Sequence, residues 1–212
     1  MSETTGFGAA PQMADRFRGF LPVVLDLETG GFNPATNAIL EVALVFVAFK
    51  GHKLVPAERW RRAVAPYPGS KCDPAALKVT GIDPQDPTRN ALCEATALKE
   101  MFRVVRNQMK AADCQRAIMV AHNASFDQQF MNLAITRNDL KRSPFHPFSF
   151  IDTASLAAVA FGHTVLSEAC ARAGIPFESA RAHNALYDAE RTAELFCAVV
   201  NRWPTPVDVG ED

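Results

Sequence analysis

The chain has 212 residues, 48% of them apolar, and a formal charge of −1 from 22 Lys and Arg against 23 Asp and Glu. That length and apolar share predict one α/β domain with a sizeable core, and near-neutrality excludes a protein that coats nucleic acid through overall charge, so any polyanion site is regional. The first twenty residues lack an apolar core of signal-peptide length, and no run of about 18 uncharged apolar residues follows. Five scattered cysteines, Cys72, Cys93, Cys114, Cys170 and Cys197, include no C-x-x-C pair. A cytoplasmic protein with free thiols and no membrane partner is the expectation.

Residues 1–15 and 204–212 read as flexible ends around a single folded unit, 16–203. Val23–Glu28 and Ile39–Phe49 are rich in Val, Leu, Ile and Phe, and the second is apolar at nearly every position, as in a strand covered on both faces. Arg59–Val64 reads as a third, more polar strand. Glu94–Met109 places Leu98, Met101, Phe102, Val105 and Met109 at helical spacing, and residues 116–123 then read as a buried strand. Phe126–Arg137 and Leu186–Asn201 carry further helical patterns. The sum is an α/β fold with a mixed central sheet flanked by helices.

Three segments hold the residues with chemistry: VVLDLETGGF with Asp26 and Glu28, HNASFD with Asp127, and AHNALYDAE with His183 and Asp188. In a strand, residues i and i+2 share a face with Cα atoms roughly 6.5–7 Å apart, so Asp26 and Glu28 project side by side. An isolated D-x-E also fits two solvated acids on an edge strand. Asp127, at a helix start, is explained equally by satisfaction of free backbone N–H groups. His183 and Asp188 would stand about 140° apart on a continuous helix and converge only if His183 precedes it. Taken together, four carboxylates and one imidazole are an inventory for holding two hard cations and activating a water beside them.

The order D-x-E, H-N-x-x-F-D, H-x-x-x-x-D resembles the three motifs of the DEDDh exonuclease superfamily, which has a ribonuclease H-like fold. DRFRGF, DLETGGFNP, TGIDP, RAIMVAHNASFD, LKRSPFHPF, IDTASLA, TVLSEAC and CAVVNRW are similar to segments of the ribonuclease T family and span nearly the whole chain. The resemblance implies a 3′-to-5′ exoribonuclease trimming single-stranded 3′ ends of tRNA and other stable RNA precursors. It implies action on DNA 3′ ends as well, with release of nucleoside 5′-monophosphates. It also implies two Mg²⁺ ions held by Asp26, Glu28, Asp127 and Asp188, with Mn²⁺ as a substitute and His183 as general base. A DNA-proofreading exonuclease or an oligoribonuclease of the same superfamily is the nearest alternative, and a non-catalytic RNA-end-binding module is the alternative outside enzymes.

The same resemblance assigns Phe32, Phe126 and Phe148 to stacking on terminal bases, although most of the 15 phenylalanines must be core. It assigns Arg16, Arg18, Lys110, Arg116, Lys141 and Arg142 to a patch that guides RNA into the other subunit of a homodimer; by composition alone each is an ordinary solvated cation. Two positions depart from the family pattern. Val79 stands where an aromatic ring is usual and Ala75 where a glutamate is usual, so the family's reluctance to remove a 3′-terminal cytosine is expected to change here.

Overall fold

The computed structural model describes residues 11–203, and in it the two apolar runs become neighbouring strands at the centre of a six-stranded mixed sheet. The strands are β1 (Phe20–Thr29), β2 (Ile39–Lys50), β3 (Lys53–Ala65), β4 (Leu92–Cys93), β5 (Arg116–Ala121) and β6 (Phe145–Asp152), in the order β4-β3-β2-β1-β5-β6. β1, β2 and β3 form an antiparallel meander, while β5 and β6 continue the sheet parallel to β1. Val23, Val24 and Leu25 of β1 and the run from Val42 to Val47 of β2 are all buried, because both faces of these strands are covered.

Six helices supply the cover: α1 (Pro74–Thr80), α2 (Glu94–Ala111), α3 (Ser125–Arg137), α4 (Thr153–Phe161), α5 (Leu166–Ala173) and α6 (Ala185–Val200). Alternate side chains of β3 show which face each takes. Gln108 and Glu100 of α2 bond to Glu58 and Arg62, whereas Glu190 of α6 pairs with the intervening Arg59. Since side chains alternate across a strand, α2 and α6 lie on opposite faces. Phe196 of α6 and Phe130 of α3 are among the largest fully buried side chains, and truncating either to Ala costs about 3–5 kcal/mol.

The mixed, helix-flanked sheet matches the sequence reading, with shifts at the edges. β3 begins at Lys53, before the expected Arg59, and β5 ends at Ala121, where Asn123 turns the chain with φ 61°. No sequence expectation covers β6, α1, α4 or α5. β6 is an edge strand interrupted by Pro147, a residue that such a position tolerates. The helices have only 7, 9 and 8 residues, too few for a period to declare itself. Met13 is buried in the core, so packing begins before residue 16, the expected start. The rest of the expected flexible ends, 1–10 and 204–212, lies outside the described residues. Among the described residues no single helix is long and apolar enough to cross a membrane, and all five cysteines are free.

Candidate active site

The carboxylates meet at the C-terminal ends of the parallel strands β1 and β5, where open α/β sheets place their ligands. Asp26 and Glu28 project from one face of β1, and Asp188, in the first turn of α6, comes down onto that face. Oxygens of these three side chains lie within 4.8 Å of one another. Asp127, in the first turn of α3, is outside that trio. Its Oδ1 accepts a hydrogen bond from the Leu27 N–H at 3.2 Å, which fixes it against β1 beside Asp26 and Glu28. All four line one cavity of about 340 Å³.

Burial raises all four carboxyls, and the clustering adds to it at Asp26 and Glu28. Burial first, and the charges of Asp127, Glu28 and Asp188 after it, hold the Asp26 carboxyl well above its usual range. Burial and then Asp188 push Glu28 up to about 8, and burial pushes Asp127 up to about 8. Asp188 is raised as well, again by burial, against the opposing pull of the His183 N–H. Crowded carboxylates of this kind are stabilised by protons or by cations. The site fits the second: its donors are hard oxygens, and Asp188 Oδ1 is buried without a hydrogen-bond partner. The cluster is therefore compatible with divalent cations.

His183 lies just before α6, as its convergence with Asp188 requires. Asn184 caps the helix, its Oδ1 accepting from the Tyr187 N–H at 3.1 Å. His183 takes φ 63°, and its own N–H donates to Asp188 Oδ2 at 2.8 Å. That bond ties the loop to a member of the acidic trio and leaves the exposed imidazole at the cavity wall. The Tyr187 hydroxyl accepts from the Glu178 N–H, and Arg191 Nη1 donates to the Pro176 carbonyl at 3.0 Å. These contacts fasten the loop at its far end.

Of the three rings assigned to stacking, two reach the cavity. Phe32 is 85% exposed and meets Phe126 edge-on at 6.3 Å between centroids. The loop that presents it turns at Gly31, with φ 151°, where an added Cβ would come within 2.2 Å of Asp73 and 2.7 Å of Asn37. Phe148 is elsewhere: on β6, 74% exposed, packed edge-on against His146 at 4.5 Å. Val79 and Ala75 of α1 line the same cavity as Phe32, so the two departures from the family pattern fall inside it. Of the basic residues, Arg18 and Arg116 stand together at the opposite end of β1. Arg116 is the register partner of Phe20, Arg18 lies over the Phe20 ring at 5.4 Å, and Arg116 and Arg142 line a second cavity beside β6. Arg16 donates to the Trp203 carbonyl at 3.3 Å, Lys110 is in the last turn of α2, and Lys141 pairs with Asp139.

Two neighbours of the site escaped sequence reasoning. His122 lines the cavity, with Nε2 2.7 Å from the Thr164 carbonyl and Nδ1 3.0 Å from Thr153 Oγ1; its place beside Asn123 in the HNASFD segment was the available signal. Glu41 is the cross-strand partner of Glu28, which only the register reveals.

A family model described as an exonuclease, RNase_T, matches residues 23–196. Ribonuclease T of Hahella chejuensis is 53% identical over 204 residues, covering 96% of this chain and 93% of that protein. Ribonuclease T of Shewanella oneidensis is 51% identical over 197 residues, covering 92% and 89%. Among solved structures, E. coli exonuclease I in complex with a dT13 oligonucleotide aligns with a TM-score of 0.65 at 18% identity, over 85% of this chain and 41% of that one. A full-length 3′-exonuclease aligns with a TM-score of 0.66 at 15% identity, over 86% and 82%. The two structures establish the shared ribonuclease H-like fold.

Proposed function

The chain belongs to the RNase_T exonuclease family, and from that premise we propose that it removes nucleotides one at a time from single-stranded 3′ ends of RNA, with tRNA and stable RNA precursors as substrates. The observation that carries this reading is the convergence of Asp26, Glu28 and Asp188 within 4.8 Å, with Asp127 and His183 on the same cavity. Asp26, Glu28, Asp127 and Asp188 would hold two Mg²⁺ ions, or Mn²⁺ in their place. Bound there, the cations supply neutralisation of charge on the phosphoryl oxygens and make a neighbouring water more acidic. His183 takes the proton from that water as it attacks the last phosphodiester in line with the departing 3′ oxygen. The terminal base rests on the Phe32 and Phe126 rings, which suits any single strand because every base offers a π-face. Single-stranded DNA ends fit the same cavity, as the dT13 complex of the structural relative suggests.

The cationic end lies six residues back along β1 from Asp26, a separation of roughly 20 Å. We place Arg16, Arg18, Lys110, Arg116, Lys141 and Arg142 in a homodimer, where this end of one subunit guides RNA to the cavity of the other. The function is tested with 3′-labelled and 5′-labelled single-stranded RNA, the wild type and Asp26→Asn, with Mg²⁺ or EDTA. Early loss of the 3′ label as mononucleotide, with stepwise shortening of the 5′-labelled strand only in wild type with Mg²⁺, is the expected result. Intact RNA throughout, from folded protein, would replace the enzyme with an RNA-end-binding module.

A further inference from the structure

Behind the acidic trio lies a fourth row of charge. Glu41 on β2 is the register partner of Glu28 on β1, and directly opposed residues of an antiparallel pair share a face with Cβ atoms about 4.5–5.5 Å apart. Like charges in that relation destabilise a sheet, so the pairing calls for a compensating charge. On its far side Glu41 meets two arginines. Arg61 Nη1 is 3.9 Å from Glu41 Oε1, and Arg89 lines the same cavity of about 540 Å³ as both. Arg89 Nη2 donates to the Leu40 carbonyl at 2.6 Å and to the Val64 carbonyl at 3.4 Å, which fixes the guanidinium across β2 and β3. Glu41 Oε1 and Arg89 Nη1 are both buried without a hydrogen-bond partner. Along the sheet the acidic trio is thus followed by Glu41 and then by Arg61 and Arg89, and a cation held by the trio would make the charge alternate.

We infer that Glu41 is a positioning residue for the cation site, its charge strengthening divalent binding at Asp26, Glu28 and Asp188 while Arg61 and Arg89 moderate it. The inference rests on the cation reading above. Even screened as in water, at a dielectric of about 80, a unit charge roughly 6 Å from a divalent cation changes its binding by about tenfold.

Calorimetric titration of the metal-free protein with Mn²⁺ alone tests this on the wild type, Glu41→Gln and Arg61→Gln. Both variants keep the shape of the parent, and the Arg61 side chain is 56% exposed; circular dichroism confirms folding. Glu41→Gln is expected to weaken Mn²⁺ binding by about tenfold and Arg61→Gln to tighten it by a smaller factor. Opposite signs are the decisive feature, because loosened packing weakens binding in both. Values within about twofold of wild type for both, or weakening in both, would overturn the inference and leave the cation site standing. A wild type that binds no Mn²⁺ would overturn the cation reading and the inference with it.

Discussion

The two ends of β1 carry opposite chemistry and, for that reason, opposite relations to stability. At the C-terminal end Asp26 and Glu28 are pressed against Asp127 and Asp188; burial raises all four, and the neighbouring carboxylates raise Asp26 and Glu28 further. At the N-terminal end, around Phe20, Arg18 and Arg116 stand exposed over ring and strand edge. The acidic end is a costly arrangement that a cation relieves, and it suits charge that develops during reaction. The cationic end is solvated and inexpensive, and it suits capture of a polyanion before reaction. Substitutions at the first end should therefore change turnover and the metal-free fold together, and at the second end only capture.

The largest effect belongs to Asp26→Asn, which removes one of four mutually repelling acids. Turnover should fall by at least about a thousandfold, while the metal-free protein melts at or above the wild-type temperature; a lower melting temperature in EDTA would break the contrast. His183→Ala should cost about 10²–10⁴ in kcat with Mn²⁺ affinity retained, since only its backbone N–H touches the acidic trio. Full activity in that variant would remove His183 from its role. The third effect is read in the wild type. In the unfolded chain these acids release protons near pH 4, whereas Glu28 and Asp127 hold theirs to about 8 in the metal-free fold. The folded state binds more protons between those limits, so stability in EDTA should fall as pH rises from about 4 to about 8. The stabilisation given by Mg²⁺ should grow over the same range. Thermal melts at pH 5, 6, 7 and 8 with and without Mg²⁺ measure both trends, and a flat EDTA series would sink the argument.

The acidic end was legible in the sequence because local geometry delivers most of it. A D-x-E on an apolar strand fixes two side chains on one face, and a helix whose N-cap is Asn184 fixes Asp188 relative to His183. What the sequence could not convey was register. Glu41 faces Glu28 only because β1 and β2 pair antiparallel with that alignment, and a one-residue slip would turn it to the other face. The cationic end was legible only as composition, since Arg18 and Arg116 come from separated segments and are brought together by the β1 and β5 pairing, which sets Arg116 opposite Phe20. Phe148 was legible as a motif residue but not by position: on edge strand β6 its exposed ring packs on His146 and is not part of the carboxylate cavity's lining.

At the cationic end the effects should be smaller and confined to long substrates. Arg116→Ala is expected to raise KM for tRNA severalfold and to reduce the salt slope of binding by roughly one, leaving cleavage of dinucleotides unchanged. Equal effects on both substrates would dissolve the division between the two ends.

The smallest effect returns to the cavity, which Val79 of α1 lines together with Phe32 and where it is 57% exposed. On the proposed function a terminal base there would have one aromatic platform, made by Phe32 and Phe126, with the aliphatic Val79 elsewhere on the cavity wall. Val79→Phe would supply a second ring, and because the side chain is exposed it should do so with little change in stability. Stacking on an aromatic ring is worth about 1–3 kcal/mol per base, but part of that is already present in the Val79 contact, so a gain of severalfold in KM for short oligonucleotides is the expectation. The gain should be larger for a 3′-terminal adenine than for a 3′-terminal cytosine, since the purine offers more area to the added ring. Side-by-side kinetics on oligonucleotides that differ only in the last base measure it. An equal change for both bases would mean that Val79 shapes entry to the cavity and has no part in reading its occupant.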